Sequence, residues 1–307
     1  MSDVVITEFM DQAAVDDLSS HFRVTYDSGL VDRPKDLAAF SDCRALIVRN
    51  RTQVRGAVLD ALPQLTCVGR LGVGLDNIDV ADCKSRGITV YPATGANDLA
   101  VAEYVIAMTL VLLRGAYGAT EDVANGSWPR QRLMGRETSG RTLGLIGFGS
   151  IARETASRAA ALGMTVIATD PFLAPDDPAW LMARPVDMQT LLAQADVISL
   201  HVPLTEETRG LIGAAQLVAM RQGTILINAA RGGVVDEAAL ADALKAGHLG
   251  GAALDVFAEE PLAAGSPLAG APNLILTPHI AGVTHDSNIR VSQLIAGKIA
   301  AHLEGST

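Results

Sequence analysis

The segment Thr142-Leu143-Gly144-Leu145-Ile146-Gly147-Phe148-Gly149-Ser150-Ile151-Ala152 constrains this chain more than any other. An apolar run of strand character ends in Gly-x-Gly-x-x-Ala, and a helical pattern starts at once. Such a turn needs a residue that bends sharply at Gly147. It needs no side chain at Gly149, where a phosphate can approach the backbone at a helix start, and a small residue at Ala152, where helix and strand pack. The next apolar run, Thr165–Thr169, ends at Asp170, about 20 residues beyond the glycines. A carboxylate there accepts hydrogen bonds from a ribose and repels a 2′-phosphate. No Lys or Arg follows Asp170 closely. The spacing predicts a dinucleotide site that takes NAD in preference to NADP.

The fingerprint opens a βα series. Its strand candidates are Thr142–Gly147, Thr165–Thr169, Val197–Leu200, Thr224–Asn228, Gly251–Val256 and Leu274–Thr277, most of them separated by helical patterns. A second series precedes it, with strand candidates Val4–Ile6, Ala45–Val48, Thr66–Val68 and Ile88–Val90 and helical stretches Asp11–Ser20, Val54–Leu62 and Val80–Arg86. A long helical pattern from about Asp98 to Arg114 joins them, Tyr117 to Gly140 reads as polar and irregular, and Asp286–Leu303 reads as one amphipathic helix. The expected fold class is α/β, with two doubly wound parallel-sheet domains and a ligand cleft between them. The length of 307 residues suits two domains.

Composition excludes other classes. Hydrophobic residues make up 49% and charged residues 19%, which rules out a disordered or fibrous chain. Aromatics at 4% leave few platforms for stacking bases, and a net charge of −10 disfavours nucleic acid and anionic membrane as partners. Cys43, Cys67 and Cys83 are odd in number and widely spaced, so they read as reduced thiols of a cytoplasmic protein with no metal site. The N-terminus lacks the basic and apolar regions of a signal peptide, and Glu103 interrupts the longest apolar helical stretch, Leu99 to Leu113.

Three segments at later strand ends carry chemistry. Asn228-Ala229-Ala230-Arg231-Gly232-Gly233 holds an Arg, Leu254-Asp255-Val256-Phe257-Ala258-Glu259-Glu260-Pro261 a Glu, and Thr277-Pro278-His279-Ile280-Ala281-Gly282 a His. Ligands of open α/β sheets bind at the carboxyl ends of strands, so the three can converge. An Arg fork binds a carboxylate, a His moves a proton near neutral pH, and a Glu beside it fixes the imidazole tautomer.

With these segments, Gly72-Val73-Gly74-Leu75-Asp76-Asn77-Ile78-Asp79, Val101-Ala102-Glu103 and His201-Val202-Pro203-Leu204, nearly the whole chain resembles the D-isomer-specific 2-hydroxyacid dehydrogenases. Ala152 stands where glycine is commoner in that family, and Asp98 where Ala is common. The resemblance implies a flavodoxin-like substrate-binding domain of residues 1–97 plus 281–307 and a Rossmann NAD-binding domain of 98–280. It implies a catalytic set of Arg231, Glu260 and His279. The cofactor contacts it implies are Gly147, Gly149, Ser150, Ile151, Asp170, His201, Pro203, Thr208, Ala229, Gly282 and Asp255, the last orienting the nicotinamide carboxamide. It also implies a homodimer whose arm includes Tyr117–Gly140.

The small-molecule partner implied is a 2-hydroxy or 2-oxo acid. Val73 and Gly74 offer backbone N–H groups for its carboxylate. Arg49, Asn50, Arg51 and Arg70 end strands of the first series and, in an acidic protein, suggest a second anion on the substrate; the resemblance, not the charge, implies 3-sulfolactate and sulfopyruvate. The alternatives within the family are 3-phosphoglycerate and glyoxylate or hydroxypyruvate. Outside enzymes, relatives of this fold include NADH-responsive corepressors.

Overall fold

The computed structural model describes residues 2–116 and 118–305. Tyr117, where the expected arm begins, and the termini Met1, Ser306 and Thr307 lie outside them. The chain forms two compact units, Met1–Asn97 with Val283–Thr307 and Asp98–Gly282. The expected return to the first unit at residue 281 falls two residues early, because Asp255 of the second unit holds the backbone N–H groups of Ile280 and Ala281.

In the first unit, β1 (Val4–Ile6), β2 (Val24–Tyr26), β3 (Ala45–Val48), β4 (Cys67–Arg70) and β5 (Thr89–Pro92) form a parallel sheet of order β2-β1-β3-β4-β5. Its helices are α1 (Gln12–His21), α2 (Ala57–Ala61), α3 (Val80–Ser85) and, returning from the far end of the sequence, one at His285–Gly305. This last helix lays Ile295 and Ile299 over β4, and Gly69 is bare where they land. Each such buried isoleucine is worth about 1.5–3 kcal/mol. Asp11 and Asp79 start α1 and α3 by accepting backbone N–H groups of the first turn. The expected helix from Val54 is shorter, since Val54 bridges to Ile78 and Gly56 turns the chain at φ +48°.

The second unit carries α4 (Asp98–Arg114), α5 (Thr120–Ala124), α6 (Ser150–Ala161), α7 (Met188–Gln194), α8 (Ala214–Ala219) and α9 (Glu237–Lys245), which makes the returning helix of the first unit α10. Its strands are β6 (Thr142–Ile146), β7 (Thr165–Thr169), β8 (Arg184–Pro185), β9 (Val197–Leu200), β10 (Ile225–Asn228), β11 (Gly251–Leu254) and β12 (Leu274–Leu276). They make a parallel sheet of order β12-β11-β10-β9-β6-β7-β8. The winding direction reverses between β6 and β9, and such a switch point is where an open α/β sheet takes its ligand. Two strands escape the sequence pattern. The half-buried β2 and the exposed two-residue β8 are sheet edges, where no apolar run is required and Pro185 costs no ladder bond. In the segment expected to be irregular, residues 120–124 form the short α5.

Candidate active site

At the switch point, Gly147 adopts φ +85°, and a Cβ there would lie 2.6 Å from the His201 carbonyl oxygen. Only glycine lets the loop after β6 press against the end of β9 in this way. Gly149 precedes α6, and a Cβ on it would meet nothing within 4 Å. Open space therefore stands before the N-terminus of a helix of 12 residues, whose unpaired N–H groups favour an anion. Ser150 is exposed, Ile151 half-buried, and Ala152 fully buried against the sheet. These features fit a dinucleotide pyrophosphate.

Asp170 follows β7. Its carboxylate accepts the Phe148 N–H at 2.8 Å through one oxygen and the Phe172 N–H at 2.9 Å through the other. The acid thus fixes the glycine loop, and each oxygen keeps a lone pair for a ribose hydroxyl. Beside it lies a cavity of about 370 Å³ lined in part by Thr169, Pro171, Trp180 and Pro185. Trp180 stacks on Phe148 with ring centroids 5.3 Å apart. At the end of β9 the half-buried His201 has its Nε2 3.0 Å from Ser199 Oγ. Burial pulls its pKa down to about 4, so the ring is neutral at physiological pH. Thr208 closes the loop that begins at Pro203 by donating its hydroxyl to the Pro203 carbonyl at 2.6 Å. Ala229 follows β10, and Gly282 ends the unit.

Arg231, Glu260 and His279 follow β10, β11 and β12. The buried Asn228 shapes the arginine loop, donating to the Arg231 carbonyl at 2.9 Å and accepting from the Ala230 N–H at 3.1 Å. Gly232 is bare because a Cβ there would overlap the Phe257 carbonyl. The arginine loop therefore rests directly on the backbone that leads to Glu260. Glu260 accepts the Phe257 N–H at 3.1 Å through Oε1, and its Oε2 lies 2.8 Å from His279 Nδ1. A carboxylate only accepts, so Nδ1 carries the proton of this bond and Nε2 is the ring atom left to face a reacting group.

His279 itself stands at φ +56°. That left-handed conformation costs a residue with a Cβ roughly 1–2 kcal/mol, and the surroundings impose it. Asp255, 1% exposed, accepts Thr277 Oγ1 at 2.6 Å and Ile280 N–H at 2.8 Å through Oδ1, and Ala281 N–H at 2.7 Å through Oδ2. Its backbone carbonyl takes the His279 N–H at 2.8 Å. Asp255, read from the resemblance as a carboxamide contact, thus has three protein donors on its carboxylate.

In the first unit, Arg49, Asn50 and Arg51 follow β3, and Arg70 ends the adjacent β4. The buried carboxylate of Glu8 gathers the N–H groups of Arg49, Arg51 and Thr52 at 2.9, 3.1 and 2.9 Å, shaping this turn. The Arg49 guanidinium lies 5.9 Å from the Phe9 ring centroid and donates to Asn288 Oδ1 at 2.6 Å. Burial lowers its pKa, and the charge of Glu8 opposes that shift. Arg51 turns instead to Asp32, in an exposed ion pair. Asn50 is exposed. The Arg70 guanidinium covers the spot a Gly72 side chain would need. Neither Val73 nor Gly74 donates its N–H to a described residue. Sequence reasoning missed Glu8, Asn228, Gly232, Tyr104 and Thr277 as shaping residues. The Arg-Gly-Gly run and the Asn at a strand end were signals for two of them. Among the described residues, no helix is long and apolar enough to cross a membrane and no side-chain cluster could hold a metal ion.

Residues 106–281 match the D-isomer-specific 2-hydroxyacid dehydrogenase NAD-binding domain. The chain is 56% identical over 301 residues to the (S)-sulfolactate dehydrogenase of Chromohalobacter salexigens, covering 97% of each protein. It is 40% identical over 303 residues to the D-3-phosphoglycerate dehydrogenase of Archaeoglobus fulgidus, covering 98% of this chain and spanning 57% of that relative. A D-lactate dehydrogenase from Aquifex aeolicus, solved with NAD and lactic acid, is similar at a TM-score of 0.84 and 29% identity, covering 98% of this chain and 96% of that one. The protein belongs to the D-isomer-specific 2-hydroxyacid dehydrogenases. It is an NAD-dependent oxidoreductase acting between a 2-hydroxy acid and its 2-oxo acid.

Proposed function

We propose that the enzyme interconverts (S)-3-sulfolactate and sulfopyruvate. Sulfur takes priority in naming the stereocentre, so the S sulfonate has the handedness of a D-2-hydroxy acid. The observation that carries this reading is the pair of strand ends with Arg49 and Arg70 in a chain of net charge −10. A second anion on the substrate gives these two guanidinium groups a charge to bind. A sulfonate offers three acceptor oxygens to a guanidinium fork. The similarity to a sulfolactate dehydrogenase supports the same choice.

Bound NADH supplies the hydride that reduces C2 of the 2-oxo acid. Arg231 binds the substrate carboxylate and polarises the ketone, with Val73 and Gly74 N–H groups as further carboxylate donors. His279 Nε2 gives its proton to the oxygen on C2 and takes it back in the oxidative direction. Glu260 holds the ring through Nδ1 and fixes the tautomer that leaves Nε2 to the substrate. Gly147, Gly149, Ser150 and Ile151 are assigned to the pyrophosphate, Asp170 to the adenosine ribose, and His201, Pro203, Thr208, Ala229 and Gly282 to the rest of the cofactor. The first unit is assigned to substrate and the second to NAD. We assign the enzyme to the cytoplasm as a homodimer. Its three buried thiols and the exposed Trp128 and Met134 in residues 118–140 support that reading.

Arg49→Ala and Arg70→Ala are each expected to lower kcat/KM for sulfopyruvate by about 10- to 150-fold, since a charge-assisted hydrogen bond is worth roughly 1.5–3 kcal/mol. The loss with pyruvate should be much smaller. Arg51→Ala, tested beside them, should have the smallest effect, as its guanidinium is on Asp32. Equal losses on both substrates, or none, would remove the second anion from the account. Steady-state kinetics with NADH and the two acids decide.

Asp170→Ala is expected to raise the KM for NAD by about tenfold or more, by the same measure of a charged hydrogen bond, and to leave NADP weakened less. A wild-type enzyme that already prefers NADP would contradict the assignment of Asp170 to the ribose.

A further inference from the structure

We infer that Tyr104 is a positioning residue for His279, acting through a hydrogen-bond chain from its hydroxyl through Thr277 to Asp255. The inference rests on the assignment of His279 as proton donor and extends it to a helix remote in sequence. Tyr104 lies about two turns into α4. Its hydroxyl is 2.7 Å from Thr277 Oγ1, which is 2.6 Å from Asp255 Oδ1. The direction of the chain follows from the donor inventory. A carboxylate only accepts, so the single proton of Thr277 goes to Asp255, and the threonine oxygen takes the proton of the tyrosine. Hydroxyls aligned head to tail toward a charge strengthen one another, most of all in a buried setting. Burial also raises the pKa of the Tyr104 phenol, which keeps it a donor at working pH.

What the chain holds is the stretch from Thr277 to Ala281. Asp255 takes the Thr277 hydroxyl and the N–H groups of Ile280 and Ala281 on its side chain, and the His279 N–H on its main chain. Two residues beyond Ala281, at Val283, the polypeptide leaves this unit. β12 ends at Leu276, so strand pairing does not reach His279. The left-handed turn at His279 is therefore set by Asp255, and Tyr104 sets the rotamer of the threonine that Asp255 also binds. Tyr104 touches no reacting atom in this scheme. Its effect is on where Nε2 stands.

The test compares Tyr104→Phe, Thr277→Val, Thr277→Ser and the double variant Tyr104→Phe/Thr277→Val. Phenylalanine keeps the ring and its packing, so Tyr104→Phe is expected to fold as the wild type does. Single-turnover oxidation of NADH with the best 2-oxo acid of the wild type gives the rate of the chemical step. We expect Tyr104→Phe to slow it by about tenfold, short of the hundredfold that a full ångström of misplacement costs. The KM for NADH should be unchanged and the solvent deuterium isotope effect larger, because proton delivery has become harder. Thr277→Ser should restore the rate to within about twofold. The double variant should be no slower than Thr277→Val, as members of one chain are not additive. A Tyr104→Phe enzyme with the wild-type rate and isotope effect overturns the inference, and so does an additive double variant. His279→Ala in the same assay separates the two levels. If it stays active, the assignment of His279 fails and the inference with it. If it is inactive while Tyr104→Phe is unimpaired, the chain from Tyr104 alone is refuted.

Discussion

His279→Ala lowers kcat by roughly 10²–10⁴-fold, the range a positioned acid or base contributes, and leaves NADH binding within about twofold. The side chain has one task in this account. Its Nδ1 is on Glu260 at 2.8 Å, and its Nε2 delivers the proton. The variant should fold. The imidazole is 41% exposed, so little core packing is lost. Alanine also has a Cβ, so it bears the same left-handed cost at φ +56° as histidine, and the Asp255 clamp acts on backbone groups that remain. A folded His279→Ala enzyme with near-wild-type turnover would remove the residue from the mechanism. Stopped-flow oxidation of NADH and a direct NADH titration make the comparison.

Gly232→Ala is expected to be the most damaging change at a residue with no side chain of its own. The added Cβ would overlap the Phe257 carbonyl, a backbone group that cannot swing aside. Two loops must part, and they are the ones that carry Arg231 and lead to Glu260. Parting them by about 1 Å costs around 10²-fold in kcat, and the overpacking costs about 1–3 kcal/mol of stability. Gly297→Ala is the control. Gly297 is exposed inside α10, with nothing within 4 Å of its missing Cβ. The same methyl there should stabilise the protein by about 0.5–1 kcal/mol, the helix preference of Ala over Gly, with kcat unchanged. Thermal melts and steady-state kinetics on both variants check this. A Gly232→Ala enzyme as active as Gly297→Ala would mean that the contact between the two loops does not matter to turnover.

The sequence made the strand–turn–helix at Gly147 legible because three glycine-or-small positions and an apolar run must coincide there. The positions of Arg231, Glu260 and His279 at strand ends were legible for a similar reason, since βα alternation assigns each segment to one end of a sheet. What joins them was not. The bond from Tyr104 to Thr277 spans 173 residues, and no local pattern distinguishes this tyrosine from a core residue of α4. Arg51 reads like Arg49, yet one pairs with Asp32 and the other packs on Phe9, a difference made by where the turn after β3 points its side chains. Asp170 read as a ribose acceptor, and its second task, holding the glycine loop through Phe148, depends on a distance that appears only when β6 and β7 pair. The edge strands β2 and β8 carry no apolar run because neither is enclosed.

The most direct test of the central claim is the specificity of the purified wild-type enzyme. With NADH in excess, kcat/KM is measured for sulfopyruvate, 3-phosphohydroxypyruvate, hydroxypyruvate, glyoxylate and pyruvate, and the oxidative direction is run with each enantiomer of 3-sulfolactate and NAD. Sulfopyruvate is expected to be reduced with the highest kcat/KM, at least about tenfold above pyruvate on the worth of one charged hydrogen bond, and only the S enantiomer of sulfolactate to be oxidised. A higher kcat/KM for glyoxylate, pyruvate or the phosphorylated acid, or oxidation of the R enantiomer, would contradict that claim.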